Sequence, residues 1–297
     1  MTGERFGSPP VREPVADAPS FGERLLAAFD ASGHLCVGID PHRYLLDRWG
    51  LLDSARGLRE FGLRVVEAAA TRVGIVKPQV AFFERFGSEG YAVLEEVISA
   101  AREKGLLVIA DAKRGDLGTS VEAYGQAWLT PGSPLEADAM TISAFQGVAS
   151  LDAPAQLAAS TGKGLFVLAA TSNPESVAIQ TATVGWGERE GMSVSASIVA
   201  DVNKWNHEPL GSVGVVIGAT VKLRDYGLSD TALRLTPILA PGFGHQGATF
   251  RDVSSTYGSA RRNTVVSSSR AILDAGPFGI ADAISAHAEQ LSEVFAA

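Results

Sequence analysis

Apolar residues fall along this chain in short continuous runs rather than in strict alternation with polar ones. Eight runs stand out, at residues 34–40 (HLCVGID), 73–79 (VGIVKPQ), 106–113 (LLVIADAK), 137–143 (ADAMTIS), 164–171 (GLFVLAAT), 213–220 (VGVVIGAT), 236–242 (TPILAPG) and 264–270 (TVVSSSR). Uninterrupted runs of this kind predict parallel strands covered on both faces. The stretches between them carry helical spacing. Residues 88–104 place Val93, Leu94, Val97, Ile98 and Ala101 on one face, with Ser88 as the expected N-cap and Gly105 as the stop. Residues 54–71 and 281–297 carry similar patterns. The longest interval, 172–212, contains GWGEREGMS, which reads as an exposed loop excursion.

Eight strand–helix units in 297 residues predict a single-domain α/β fold, a (β/α)8 TIM barrel spanning 21–297. An open doubly wound sheet is the alternative, but no G-x-G-x-x-G fingerprint follows the first strand. Residues 1–20 mix proline, charge and small side chains without periodicity and lack the apolar stretch of a signal peptide, so they read as a flexible tail.

Composition narrows the function classes. A net charge of −8 argues against a nucleic-acid or anionic-membrane surface. The apolar runs reach only about eight residues, too short to cross a bilayer. The single cysteine, Cys36, lies in an apolar run, which fits a packing role and a cytoplasmic setting. Five scattered histidines show no metal-ligand spacing, so no structural metal is expected.

Candidate chemistry collects at the ends of the runs: Asp40, Lys77, Asp111 with Lys113, Ser143, Thr171, Ser269 and Arg270. In a barrel, all strand C-termini open on one face, so these residues converge there. Asp111 and Lys113 are two apart and share a side of their strand. Charges buried together need mutual compensation, and Lys77 offers a second cation. PGFGHQG (241–247) follows the seventh run and SSSR (267–270) ends the eighth, where barrels of this class place phosphate sites. Gln246 and Arg270 supply hydrogen-bond donors there.

With these motifs assembled, the chain resembles the orotidine 5′-monophosphate decarboxylase family, in its longer-chain bacterial branch. DAKRGDLGTS matches the D-x-K-x-x-D signature, and CVGIDP, VKPQVAFFE, TSNP, VVIGAT, PGFGHQG and SSSRAI match in order and spacing from about residue 34 to 273. The resemblance implies conversion of orotidine 5′-monophosphate to uridine 5′-monophosphate, the last step of de novo pyrimidine synthesis, without cofactor or metal. It implies that Lys113 protonates C6, that Asp111 lies beside the substrate carboxylate, and that Lys77 holds Asp111 and the ribose. It places Asp40 on ribose hydroxyls, Ser143 on the pyrimidine, Ser120 and Ser269 on the substrate, and Gln246 with Arg270 on the phosphate. It implies a homodimer in which Asp116 enters the neighbouring site. Because binding energy from a remote phosphate can drive closure, a loop at about 242–252 is expected to close over the phosphate. Ser120 stands where the family commonly has threonine, and TISAFQG lacks the asparagine of that branch. Two alternatives remain open. Magnesium-dependent sister enzymes of sugar phosphates share D-x-K-x-x-D but carry an acidic ligand where this chain has Lys77, and a catalytically silent nucleotide-binding barrel would keep the pocket alone.

Overall fold

In the computed structural model, which describes residues 19–244 and 247–296, all eight runs become strands. They are β1 (Leu35–Ile39), β2 (Ile75–Pro78), β3 (Leu107–Arg114), β4 (Ala139–Ile142), β5 (Gly164–Ala170), β6 (Val213–Ile217), β7 (Ile238–Pro241) and β8 (Thr264–Ser268). The strands are parallel, each pairs with its sequence neighbours, and β1 pairs with β8 to close the barrel. Helices connect them on the outside, giving the expected (β/α)8 architecture.

Side-chain alternation sorts the barrel interior into layers. Cys36, Ile75, Ile109, Ala139, Phe166, Val216, Leu239 and Val265 form an apolar lower cluster. Two residues further along the same strands stand Lys77, Asp111, Thr141 and Ser267, all buried. A step of two keeps a side chain on the same face, so the chemistry sits directly above a dry floor. Cys36 belongs to that floor and is fully buried among apolar side chains, as a packing role requires, and burial pushes its thiol up to about 12.

The floor is sealed from below by the helix Phe21–Ser32, whose Phe21, Leu25 and Phe29 join the lower cluster. Ser20, expected within the tail, is its N-cap: Ser20 Oγ accepts from Glu23 N at 3.2 Å while Glu23 Oε2 accepts from Ser20 N at 2.8 Å. This reciprocal capping box fixes where the helix begins. Residues 1–18 lie outside the described residues. The helix expected over 88–104 runs Gly87–Glu103, with Phe86 rather than Ser88 at the N-cap. Gly90 packs against the Phe83 carbonyl there, drawing the helix start back against the preceding turn. The helix expected over 54–71 runs Ala55–Ala69 and is capped by Ser54. The last helix starts earlier than the pattern indicates, at Gly276. The excursion at 185–193 is exposed as expected, with Trp186 83% accessible.

The first and last helices meet at His34. Its ring is stacked between Phe29 at 4.0 Å and Phe295 at 3.8 Å, and Nδ1 lies 3.0 Å from the Thr264 carbonyl. Burial lowers its pKa to about 4. Between that value and the ordinary one near 6.5 the unfolded chain binds the extra proton, so this contribution is complete above about pH 6.5 and is lost as pH falls toward about 4. Acidification from pH 7 to pH 5 is therefore expected to cost about 2 kcal/mol through this residue. Denaturant titrations at both pH values should show a smaller acid loss for His34→Phe than for the parent. Equal losses would dismiss the assignment.

Candidate active site

At the C-terminal mouth of the barrel lies a cavity of about 370 Å³, a size suited to a small ligand. Its lining includes Asp40, Lys77, Gln79, Asp111, Lys113, Ser269 and Arg270, contributed by the ends of β1, β2, β3 and β8. A larger groove, about 690 Å³, runs beside the mouth along Lys222, Arg224, Asp230 and Asp252. Its Lys222 and Arg224 are exposed, and Asp230 already accepts from Thr231 N and Ser259 N at 2.9 Å. The chemistry therefore concentrates in the smaller cavity.

Asp111 is its centre. Oδ2 accepts from Lys77 Nζ at 2.8 Å and Gln79 Nε2 at 3.0 Å; Oδ1 accepts from Lys113 Nζ at 2.5 Å and Thr141 Oγ1 at 2.9 Å. Burial would raise the carboxyl's pKa, but the two ammonium groups outweigh it and hold Asp111 well below the ordinary carboxylate range. Lys77 is the mirror case. Burial opposes its charge, yet Asp111 and Asp40 together keep its pKa above the ordinary lysine value. Both groups are thus ionised in a site only 4–8% exposed. The Lys113 side chain differs, with 46% of it exposed toward the mouth.

Opposite this pair, Asp40 Oδ1 and Ser269 Oγ are buried without a hydrogen-bond partner among the described residues. Unsatisfied buried polar atoms are costly, and two of them facing one cavity mark groups waiting for a ligand. Gly38 makes their approach possible, since a Cβ there would fall 2.7 Å from the Ser269 Cβ. Among the described residues, the buried charges at the other end of the barrel already have partners. Buried Asp138 is satisfied by Arg24 at 2.6 Å and Val108 N at 2.9 Å, and buried Lys163 pairs with Glu136 at 2.8 Å.

The remaining expected residues divide. Ser143 does not line the cavity. It turns toward Gly115, where a Cβ would meet the Ser143 carbonyl at 2.7 Å, because the chain after β4 bends to follow the β3 end. The wall opposite β1 is instead Thr171, Ser172 and Asn173 of TSNP. Asp116 is half-buried and Ser120 exposed, both outside this cavity. Gln246 lies outside the described residues. The sequence pattern does not single out Gln79 and Thr141, although both occupy the inward parity: Gln79 two after Lys77, Thr141 two after Ala139 of the lower cluster. Among the described residues no three His, Cys, Asp or Glu side chains are grouped to hold a metal ion, and no helix is long and apolar enough to cross a membrane.

The model of the orotidine 5′-phosphate decarboxylase / HUMPS family matches residues 33–279. The orotidine 5′-phosphate decarboxylase of Streptomyces coelicolor is 49% identical over 258 residues, covering 86% of this chain and 91% of that protein. The enzyme of the same name from a Nocardioides species is 50% identical over 255 residues, covering 85% and 91%. A crystal structure from Streptomyces avermitilis, provisionally assigned the same activity, superposes with a TM-score of 0.88 at 45% identity, covering 94% of this chain and 97% of that one.

Proposed function

The chain belongs to the orotidine 5′-phosphate decarboxylase family, and from that premise we propose how its residues carry out the reaction. The enzyme converts orotidine 5′-monophosphate to uridine 5′-monophosphate and carbon dioxide in pyrimidine biosynthesis. The observation that carries the mechanism is Asp111 held between Lys77 and Lys113 on the floor of a ligand-sized cavity.

When the bond between C6 and its carboxylate breaks, the electron pair remains on the ring carbon and carbon dioxide departs. We assign Lys113 Nζ, beside Asp111 and facing the mouth, to stabilise that pair and then donate a proton to C6. A unit-charge pair at about 4 Å is worth roughly 4 kcal/mol at an effective dielectric of 20, or nearly three decades of rate. The exposed side of Lys113 lets solvent restore its proton. Asp111, ionised throughout, faces the substrate carboxylate as a like charge until neutral carbon dioxide leaves. Lys77 fixes Asp111 and, with Asp40, reaches the ribose. Ser269 and Arg270, with Gln246, hold the phosphate, and the TSNP wall, rather than Ser143, borders the pyrimidine. The proposed chemistry uses no cofactor, and the lone buried thiol fits a cytoplasmic enzyme.

Loss of the pyrimidine absorbance of orotidine 5′-monophosphate, followed with EDTA present throughout, tests the assignment. Turnover in EDTA supports it. Activity that EDTA abolishes and magnesium restores would point to the metal-dependent sister chemistry.

The working unit proposed here is a homodimer, with Asp116 and Ser120 serving the neighbouring site. Leu117, Tyr124 and Phe145 nearby are 60%, 38% and 83% exposed, an apolar surface suited to cover by a second copy. Mixing Lys113→Ala with Asp116→Ala protein, each inactive alone, should regain about a quarter of parental activity after full exchange, because half the dimers then carry one intact site. No recovery despite verified exchange would refute donation of Asp116 across the interface.

A further inference from the structure

Lys113 is one of only two non-glycine residues among those described with a left-handed backbone, at φ 49°. Such a backbone is uncommon for a long side chain and persists only where neighbours impose it. The pairing of β3 with β4 shifts between Ala110 and Arg114, so the strand is irregular at this point.

Both sides of Lys113 are pinned. Its own N–H donates to Thr141 Oγ1 at 2.9 Å, and the Arg114 carbonyl accepts from Ser143 N at 2.6 Å. The Arg114 guanidinium then folds back. Nη1 donates to the Ala112 carbonyl at 3.0 Å, while Nη2 donates to Glu84 Oε1 at 3.0 Å and to the Tyr91 hydroxyl at 2.9 Å. Tyr91 donates in turn to Glu84 at 2.9 Å. The triad closes on itself and reaches the peptide just before Lys113. None of its three members lines the cavity. The Lys113 side chain is nearly half exposed, so its direction depends on its backbone more than on packing around it.

We infer that Arg114, with Glu84 and Tyr91, is a positioning clamp that imposes the left-handed turn at Lys113 and so folds its ammonium group back onto Asp111. The inference rests on the decarboxylase reading of Lys113. The clamp acts on the chemical step rather than on binding, because the groups assigned to phosphate and ribose come from β1, β2, β8 and the stretch after β7, and none of them belongs to the clamp. Misplacing a reacting group by about 1 Å costs on the order of a hundredfold in rate.

Steady-state kinetics on orotidine 5′-monophosphate test this with Arg114→Gln, Arg114→Lys, Glu84→Gln and Tyr91→Phe. Arg114→Gln is expected to lower kcat about 30- to 100-fold with KM within about threefold. Arg114→Lys keeps the charge but not the planar fork, and should fall equally. Glu84→Gln and Tyr91→Phe should each lower kcat by about three- to tenfold, and add little on top of Arg114→Gln. These two partner variants keep the test decisive if an Arg114 variant fails to fold. A kcat near the parental value, a rise in KM alone, or full additivity of the partner variants would overturn the clamp. A parent that does not turn over at all would instead refute the activity, so the two failures are distinguishable.

Discussion

Asp111→Ala protein is expected to lose both stability and activity. The carboxylate is the partner of Lys77, whose side chain is only 5% exposed, so its removal leaves an ammonium group buried with Asp40 as its remaining counter-charge. Breaking a buried pair from one side costs about 3–5 kcal/mol. The same change frees Gln79, Thr141 and Lys113 from their common acceptor, and with Lys113 loosened the rate should drop by about 10³-fold. Replacing both partners, as Lys77→Met with Asp111→Leu, should recover most of the lost stability and none of the activity, since an apolar pair needs no compensation. Denaturant midpoints and kcat, measured on the same preparations, separate the two effects. An Asp111→Ala protein as stable as the parent would mean that the charges are not coupled as their geometry indicates.

Lys113→Ala is the complementary case, with a large effect on rate and little on stability. Its side chain is nearly half exposed, and Asp111 keeps Lys77, Gln79 and Thr141 as partners. Removing a proton donor typically costs 10²–10⁴ in rate, and removing a charge aimed at the transition state about another 10². The expected loss in kcat is therefore about 10⁴- to 10⁶-fold, with the thermal midpoint nearly unchanged. Binding of uridine 5′-monophosphate should persist, because the phosphate-end and ribose contacts are untouched.

The strands are legible because each is a continuous apolar run, and the site because charged and hydroxyl side chains gather at the C-terminal ends of several of those runs. What the sequence hid has physical reasons. Gln79 and Thr141 look like ordinary polar residues beside more conspicuous charges, though strand parity points them inward. Ser143 and Ser172 both follow strands and both carry hydroxyls. The bend after β4 turns the first toward Gly115, and no local pattern announces that bend. The left-handed backbone at Lys113 has no sequence signal, since a lysine gives no hint of positive φ; it follows from Thr141 and Arg114 acting from either side. The helix Phe21–Ser32 does carry a capping box and apolar positions four apart, yet its role as the plug of the barrel floor emerges only from the closed sheet above it.

The central claim, that the ammonium group beside Asp111 carries the chemistry, is tested most directly by kcat on orotidine 5′-monophosphate for the parent and for Lys113→Ala, with uridine 5′-monophosphate binding measured in parallel. The expected result is rapid turnover by the parent, and by the variant a rate lower by about 10⁴-fold or more with the nucleotide still bound. A variant within tenfold of the parent, or a parent that binds the nucleotide without turnover, would contradict it.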